Sequence, residues 1–313
     1  MRIAGRVRRS LGAGGSGAPI RGLGLSAAIV TSAFLVVALF SRPHDTAGPC
    51  EVTHRAELPD VPEASGLAVS RGHPGLIWTH NDSGNESVLF PLDTSGRPLG
   101  RVRVGRRLRD WEDVSLASCP LGDCLYIGDI GDNSMSRKSI QVLRVPEPDP
   151  GARAVERPDV IDLTYPDGPH NAEAMFIAGG RIFIVTRDRV GAVYRSTARP
   201  GEVLSAFNRS PLNIKLLRVG QLRLVGVTDA EVSPDEMSVA VRTSDEVVVY
   251  RTADLIAVPD TAQPTIRIPI DVLGEPQGEG VALGDNGTLY LASEGRLWNR
   301  AGRVIMLRCD PAL

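Results

Sequence analysis

From about residue 50 onward, short apolar runs alternate with polar, turn-rich stretches in an order that repeats along the chain. Five segments share a polar, often acidic, opening followed by a small residue and an apolar run: EASGLAVS (63–70), DWEDVSLA (110–117), NAEAMFIA (171–178), TDAEVSPD (228–235) and QGEGVALG (277–284). A turn and a second β-rich run follow each opening, as in GLIWTHND (75–82) and CLYIGDIGDN (124–133). This order predicts a series of hairpins.

Further strands follow each hairpin. Third strands are predicted at SVLFPLD (87–93), IQVLRVP (140–146), AVYRST (192–197), EVVVYRT (246–252) and RVIMLRC (303–309). Fourth strands are predicted at RVRVG (101–105), VIDLTYP (160–166), NIKLLRV (213–219) and TIRIPIDV (265–272), and the fifth unit has none of its own. The aligned positions Ser65, Glu112, Glu173, Ala230 and Glu279 are 47, 61, 57 and 49 residues apart. Such a period is typical of propeller blades or similar four-stranded arrays.

The beginning of the repeat region can complete its last unit. The segment VTHRAELP (52–59) would be the missing outer strand, antiparallel to RVIMLRC, which brings Cys50 beside Cys309. We therefore predict an all-β fold, a single β-propeller of five four-stranded blades over residues 50–313. Six blades are the alternative, because residues 196–227 are long for one connection. An open β-sandwich would not explain the closure.

The chain contains four cysteines, and three pairings of them are conceivable. Cys119 and Cys124 bracket Pro-Leu-Gly-Asp, a turn sequence between two strand-like runs, so a disulfide there would clamp a hairpin. That pairing leaves Cys50 with Cys309, in agreement with ring closure. Free buried thiols are the alternative.

The N-terminal segment predicts a membrane anchor. Twenty uncharged residues, 22–41, lie between Arg21 and Arg42, which is long enough to cross about 30 Å of hydrocarbon. Basic flanking residues place 1–21 in the cytoplasm as a tail, 22–41 across the cell membrane as a single-pass signal-anchor, and the linker 42–49 and the propeller outside. Cleavage of the segment as a signal peptide would instead give a secreted protein.

Composition and charge narrow the function classes. With 42% apolar and 23% charged residues, the chain is neither disordered nor collagen-like. Residues 50–313 carry 29 Lys and Arg against 36 Asp and Glu, a net charge of −7, so nucleic acid is not an expected partner. The expected partners are the membrane, through the N-terminal helix, and an unidentified extracellular small molecule, glycan or protein.

Acidic residues recur where a propeller would bring them together. The starts of first strands and the ends of second strands meet at one mouth of the central channel. The first-strand positions predict metal ligands at Glu63, Asp110, Glu112, Glu173 and Glu279. The second-strand ends add Asp82, Asp129, Asp132, Asp188, Asp245 and Glu294.

So many carboxylates in one place need a counter-charge. Two carboxylates about 4 Å apart repel by roughly 4 kcal/mol at an effective dielectric constant near 20, so they require protons, arginines or a metal. Oxygen ligands without a Cys or His cluster favour Ca²⁺, or Mg²⁺, over zinc. The alternative is structural: the carboxylates accept hydrogen bonds from backbone amides of neighbouring blades and cap the channel.

Candidate catalytic groups are His80, Asp82 and His170, which fall beside the predicted mouth. A neutral imidazole can act as a general base, although a histidine with a purely structural role is the more ordinary interpretation. Cations for an anionic substrate would come from Arg137, Arg187, Arg189 and Arg242. Trp78 and Trp111 are expected to pack between blades.

A set of motifs resembles a known family. THNDSG (79–84), DWEDV (110–114), GDIGDN (128–133), DGPHNAEAM (167–175), TDAEVSPD (228–235) and QGEGVAL (277–283) together resemble a family of exported bacterial β-propeller proteins of largely unassigned function. The resemblance covers about residues 50–310. More distantly, the acidic residue near the start of each innermost strand is similar to that of calcium-centred propellers, including phytase-like, esterase-like and nucleotidase proteins. Ala230 departs from that pattern.

Two functions follow as hypotheses. The first is a membrane-anchored extracytoplasmic propeller with a calcium-binding mouth, which acts as a ligand-binding or scaffold module. The alternative is a calcium-dependent hydrolase of phosphate or carboxylate esters, in which the metal polarises the substrate or activates water.

Overall fold

The structure, a computed structural model, describes residues 45–203, 211–295 and 300–310. Within these ranges, no helix has both the length and the apolar character that a bilayer crossing requires. The predicted cytoplasmic tail (1–21) and membrane anchor (22–41) lie outside the described residues.

Strands make up about half of the described chain, and the helices are few and short. In chain order the strands are β1 (Thr46–Ala47), β2 (Cys50–Leu58), β3 (Ala64–Val69), β4 (Leu76–Asn81), β5 (Val88–Asp93), β6 (Val102–Val104), β7 (Asp113–Cys119), β8 (Gly122–Asp129), β9 (Ile140–Pro146), β10 (Ala154–Val155), β11 (Asp159–Thr164), β12 (Ala172–Ala178), β13 (Arg181–Thr186), β14 (Ala192–Ser196), β15 (Leu212–Gln221), β16 (Val227–Val232), β17 (Ser238–Thr243), β18 (Glu246–Arg251), β19 (Pro264–Pro269), β20 (Gln277–Leu283), β21 (Thr288–Glu294) and β22 (Gly302–Cys309). The helices are short: α1 (Pro200–Val203), α2 (Thr252–Ala257) and 3₁₀ turns at Pro259–Thr261, Asp271–Leu273 and Asp285–Gly287.

Antiparallel pairing groups these strands into five four-stranded units. From the innermost strand outward they are unit 1 (β3-β4-β5-β6), unit 2 (β7-β8-β9-β11), unit 3 (β12-β13-β14-β15), unit 4 (β16-β17-β18-β19) and unit 5 (β20-β21-β22-β2). The outer strands β11 and β15 also pair in parallel, which joins units 2 and 3 at their edges. Residues 196–227 therefore supply the outer strand of unit 3, and the described strand pairings form five units rather than six.

The five units close into a ring. Each innermost strand contacts the innermost strand of the next unit, and β20 of unit 5 returns to β3 of unit 1. Five clusters of buried apolar side chains lie one in each interface between neighbouring units. Trp78 and Trp111 are both buried in the cluster between units 1 and 2, which confirms their predicted packing role. This all-β ring is consistent with a β-propeller.

The innermost strands pack closely against one another, and their sequences contain small residues where they do. Every residue of β12 and β16 is buried, because neighbouring units cover both faces of these strands. Two glycines lie where the innermost strands approach most closely. A Cβ atom at Gly66 would lie 2.6 Å from the Val114 backbone nitrogen, and one at Gly280 would clash with the Ser65 carbonyl oxygen.

The two ends of the described chain complete unit 5. The strand β2 runs antiparallel to β22, with Cys50 opposite Cys309 in the register, and a disulfide joins the two residues across 259 positions of sequence. A second disulfide joins Cys119 and Cys124 at the β7–β8 turn. Both predicted disulfides are confirmed, and free buried thiols are excluded for these cysteines.

Candidate metal site at the mouth of the ring

One end of the ring gathers seven carboxylates, which we call the mouth: Glu63, Asp82, Asp110, Glu112, Glu173, Glu279 and Glu294. They come from the starts of innermost strands and the ends of second strands. The charges of other carboxylates in the set contribute to the raised pKa of each of Asp82, Glu112, Glu173 and Glu294. The structure thus brings together all five predicted metal ligands, together with Asp82 and Glu294.

Irregularities in the innermost strands set the direction of these side chains. The register between first and second strands shifts at Ala64/Leu67, Ala172/Ala174, Val227/Asp229 and Gly278/Val281. Each shift falls at the mouth end of its strand and interrupts the simple two-residue alternation. In units 3 and 5 the residues at the shift include Glu173 and Glu279.

The same irregularity corrects the alignment in unit 4. The Ser65 hydroxyl of unit 1 donates to the Glu112 carbonyl of unit 2 at 2.7 Å, and the Thr228 hydroxyl of unit 4 donates to the Glu279 carbonyl of unit 5 at 2.9 Å. Thr228 therefore occupies the position that corresponds to Ser65, and the predicted equivalence of Ala230 is wrong by two residues. Ala230 is a fully buried packing residue.

Three mouth carboxylates lie close enough to share one ion. Oxygen atoms of Asp82, Asp110 and Glu112 all lie within 4.8 Å of one another. Asp82 follows β4, while Asp110 and Glu112 lie on the segment that leads into β7. Gly131 leaves the space around them open, because a Cβ atom there would lie 2.6 Å from the Asp110 Oδ2 atom and would clash with Glu112 Oε1.

These three side chains receive few hydrogen bonds. Asp82 accepts a short one from the Ser83 amide, whereas within the described ranges the carboxylates of Asp110 and Glu112 have neither a hydrogen-bond donor nor an ion pair, although the charge of Glu112 acts on Arg187. Burial, together with the charges of Asp82, Glu173, Asp110 and Glu279, raises the pKa of Glu112 to about 11. Burial, followed by the charges of Asp110, Glu279 and Glu63, raises the pKa of Asp82 to about 6 despite the Ser83 amide. Such a site can hold a divalent cation.

The remaining mouth carboxylates have partners of their own. Glu173 pairs with the Arg187 guanidinium, yet burial still raises the pKa of Glu173 to about 7. Glu279 accepts a hydrogen bond from the Gln277 amide at 2.8 Å, and Glu63 accepts one from Asn85. Burial and the charges of Glu279, Asp82, Glu63 and Glu173 raise the pKa of Glu294 to about 8. These four side chains surround the three-carboxylate cluster.

Sequence reasoning missed a second group of carboxylates, buried in the channel beneath the mouth: Asp113, Asp229 and Glu231. Asp113 accepts from the Met175 amide at 2.5 Å, and Asp229 accepts from the amides of Val281 and Ala230. Glu231 accepts from the Leu116 amide at 3.0 Å and from the Ser115 hydroxyl. These three residues fit the structural interpretation, in which carboxylates accept amide hydrogen bonds from neighbouring units.

The channel carboxyl groups of Asp113 and Asp229 act on each other electrostatically. Burial raises the pKa of both carboxyl groups, that of Asp229 to about 7, and the charge of Asp229 adds to the effect of burial on Asp113, whose pKa lies well above its ordinary value. This favours the protonated form of Asp113, whose Oδ1 atom is buried and has no hydrogen-bond partner among the described residues. The signal in the sequence was the adjacent acids of DWEDV and TDAEV, of which only one position per segment entered the alignment.

His80 does not line the mouth. Its ring is completely buried against Trp111, with the ring centroids 4.1 Å apart. The Nδ1–H group donates to the Asn81 carbonyl at 2.9 Å, and Nε2 has no partner among the described residues. Burial lowers the pKa of His80 to about 4, although the Asn81 carbonyl opposes this. This placement does not favour the predicted role of His80 as a general base.

His170 lies in a separate cluster over unit 3. Its Nε2 atom is 3.0 Å from Asp167 Oδ1 and 2.8 Å from the Tyr194 hydroxyl, which donates to Asp167 Oδ2. Tyr165 contacts the imidazole edge-on. The structure does not bring His170 together with Asp82, the third predicted catalytic residue, which belongs to the metal cluster instead.

Two of the predicted substrate cations are structural. Arg242 is fully buried and binds Glu275 together with the carbonyl oxygens of Gly280 and Ala292, so it ties unit 4 to unit 5. Arg137 is buried in an ion pair with Asp129, at 2.8 Å. Arg187 reaches the mouth through Glu173, with 41% of its side chain exposed, and Arg189 is exposed.

Comparison with solved structures gives a distant likeness. A PQQ-bound aldose sugar dehydrogenase from Streptomyces coelicolor aligns at 13% identity with a TM-score of 0.45, over 85% of this chain and 99% of that one. A gluconolactonase from Xanthomonas campestris aligns at 10% identity with a TM-score of 0.46, over the same shares of the two chains. No protein-family model and no curated protein matches this chain. The resemblance to exported bacterial propellers therefore stays a prediction from the motifs.

Proposed function

We propose that this protein is a membrane-anchored extracytoplasmic β-propeller that binds calcium at its mouth and, through that mouth, a ligand outside the cell. The observation that carries the proposal is the cluster of Asp82, Asp110 and Glu112, whose oxygens lie within 4.8 Å of one another with almost no donors. A bound cation would supply the missing positive charge. Oxygen ligands without cysteine or imidazole favour calcium over zinc.

Export is supported by the oxidised cysteines. Two disulfides are typical of proteins that reach an oxidising compartment. The uncharged segment 22–41 and its basic N-terminal flank are the basis for membrane attachment, with the ring outside the cell.

The binding proposal is tested by the thermal unfolding of the full-length chain with calcium or with chelator. At calcium concentrations about 100 times Kd, we expect a stabilisation of roughly 2.7 kcal/mol. For a domain of this size, that corresponds to a rise in Tm of about 5–10 °C. Glu112→Gln should abolish the rise, because it removes the central charge of the cluster. Gly131→Ala should reduce it, because the added methyl group fills the space beside Asp110 and Glu112.

Matched controls separate the cluster from general charge effects. Glu57→Gln, on the outer strand β2, removes one exposed carboxylate outside the mouth and should leave the calcium response intact. Glu173→Gln should weaken the response without abolishing it, since Glu173 is already paired with Arg187. An undiminished response in Glu112→Gln would overturn the ligand assignment.

A second candidate function is calcium-dependent hydrolysis of phosphate or carboxylate esters. The Arg187 guanidinium, half-exposed at the mouth wall, favours it, because a cation there could stabilise charge that develops on an ester oxygen. A panel of phosphomonoester, nucleotide and carboxyl-ester substrates tests this candidate. Calcium-dependent turnover that Glu112→Gln removes would establish hydrolysis, and stabilisation by calcium without turnover would leave the binding module.

A further inference from the structure

A positively charged loop lies directly beside the acidic mouth. Residues 101–109, RVRVGRRLR, comprise β6 and the loop that follows it, and they hold five arginines and no acidic residue, in a body whose net charge is −7. The loop leaves β6 on the outside of unit 1 and runs to Asp110 and Glu112 at the mouth. It therefore carries cations from the edge of the ring to the metal cluster.

The backbone of this loop is fixed. The amides of Arg109 and Asp110 donate to the two oxygens of Asp129, at 3.1 and 3.0 Å, and the Leu108 amide donates to the Ser87 hydroxyl at 3.2 Å. Asp129 in turn is neutralised by Arg137. The loop is thus held in place by its main chain, which leaves its side chains available for other contacts.

Three of these side chains, those of Arg103, Arg107 and Arg109, are free in the part of the chain that the structure describes. Arg107 and Arg109 are exposed, and over the described parts of the chain neither guanidinium has a hydrogen-bonding or ionic partner. By contrast, Arg101 in the same segment reaches Glu86 at 3.5 Å, and Arg106 donates to Gln141 at 3.1 Å. Arg107 and Arg109 are therefore the uncompensated cations nearest in sequence to the metal cluster.

Both arginines line one cleft of about 580 Å³, together with Asn85, Ser139, Gln141 and the ion pair of Asp129 with Arg137. Asn85 joins this cleft to the mouth, because its side-chain amide donates to Glu63 and to the Asp82 carbonyl. A second cleft, of about 480 Å³, continues from Asn85 and Arg107 toward the outside of unit 1. A bound molecule could therefore extend from the arginines to the mouth.

We propose that Arg107 and Arg109 form an oxyanion-binding subsite that holds a phosphate or carboxylate group of the molecule taken by the mouth. Arginine binds both groups through paired, charge-assisted hydrogen bonds, and the Ser139 hydroxyl offers a neutral donor in the same cleft. The net negative charge of the body would repel an anion at long range. Charges beyond about 8 Å are largely screened at physiological salt, so the nearby arginines dominate the interaction with an anion in the cleft. The role of the subsite in ligand recognition rests on the proposed function of the mouth.

The test is titration of the full-length chain with inorganic phosphate, and separately with acetate, by calorimetry in chelator at constant ionic strength. We expect phosphate to bind with a Kd on the order of 1 mM. Arg107→Gln and Arg109→Gln should each weaken binding at least tenfold, which corresponds to about 1.4 kcal/mol. The control Arg251→Gln removes an exposed arginine that lines a different cleft and should bind phosphate as the unmodified chain does.

The variant Glu112→Gln separates this proposal from that of the metal site. It should lose the calcium response and still bind phosphate in chelator, because Arg107 and Arg109 are unchanged. Absence of phosphate and acetate binding, or equal affinity in Arg107→Gln, Arg109→Gln and the unmodified chain, would overturn the subsite even where calcium binds. Binding of acetate but not phosphate would assign the subsite to carboxylates, and the reverse result to phosphates.

Discussion

The mouth and the channel beneath it are both lined by carboxylates, but the carboxylates of the two regions differ in the hydrogen bonds that they receive from backbone amides. In the channel, Asp113, Asp229 and Glu231 accept hydrogen bonds from backbone amides of other units or of their own strand. At the mouth, Asp110 and Glu112 have no donor within the described parts of the chain. One set therefore holds the ring together, and the other lacks a counter-charge.

The contrast is sharpest between two adjacent residues. Glu112 and Asp113 follow each other in sequence, yet Glu112 belongs to the metal cluster, whereas Asp113 accepts the Met175 amide of unit 3. Neighbouring residues at the start of a strand point in opposite directions, so one can face the mouth while the other faces the next unit. Position along the strand, rather than residue type, decides whether a carboxylate is structural or available to a ligand.

Both regions depend on the closed ring, so opening it should have the largest effect. Replacing Cys50 and Cys309 together by serine should lower the free energy of unfolding by about 5 kcal/mol, because their disulfide restricts a very long loop in the unfolded chain. The matched double replacement of Cys119 and Cys124, five residues apart, should cost about 2 kcal/mol. Denaturant unfolding measures both values, and equal losses would contradict the ring-closing role.

Removal of a channel carboxylate should cost stability without affecting calcium. Asp229→Ala leaves the buried amides of Val281 and Ala230 without their acceptor, so we expect a loss of about 3 kcal/mol. Asp229→Asn keeps one carbonyl oxygen and should lose less. Calcium should raise the Tm of both variants as it does for the unmodified chain. A lost calcium response in a folded Asp229→Asn would show that the two regions are not distinct.

The sequence predicted the ring because its signals are local and repeated. Small residues and apolar runs recur at each innermost strand, and the pairing of β2 with β22 followed from the absence of a fourth strand in the last unit. The ends of second strands led correctly to Asp82 and Glu294. These predictions needed only the order of the strands.

The finer assignments failed where strict alternation breaks. The register shift between Val227 and Asp229 puts Thr228, not Ala230, in the position equivalent to Ser65, and pattern alone does not reveal such a shift. The predicted cations Arg137, Arg187, Arg189 and Arg242 lie at or just past the ends of second strands, whereas Arg107 and Arg109 lie on the loop that follows the outer strand β6. Contacts between distant segments, such as Glu231 with Leu116, are not encoded in local periodicity.

The smallest expected effect, on pH dependence, separates the two regions most directly. The pKa values of Asp82, Glu173 and Glu294 are raised to about 6, 7 and 8 in the folded chain, above their ordinary values near 4. Between about pH 4 and pH 8 the unfolded chain therefore releases protons that the folded chain retains, so metal-free stability should fall as pH rises. Solvent at the mouth screens part of this effect, and we expect a fall of about 1–2 kcal/mol between pH 5 and pH 8.

Calcium should abolish the part of the pH dependence of stability that comes from the mouth carboxylates, and leave the part that comes from the channel carboxylates. The ion favours ionised mouth carboxylates in the folded chain, whereas Asp229, with a pKa of about 7 and no contact with the metal cluster, keeps its own dependence in the same direction. Denaturant unfolding at pH 5 and pH 8, with chelator or calcium, measures the two shares. Asp229→Asn should reduce the slope that persists in calcium. Metal-free stability that rises from pH 5 to pH 8 would contradict the uncompensated charge at the mouth, from which the metal assignment is argued.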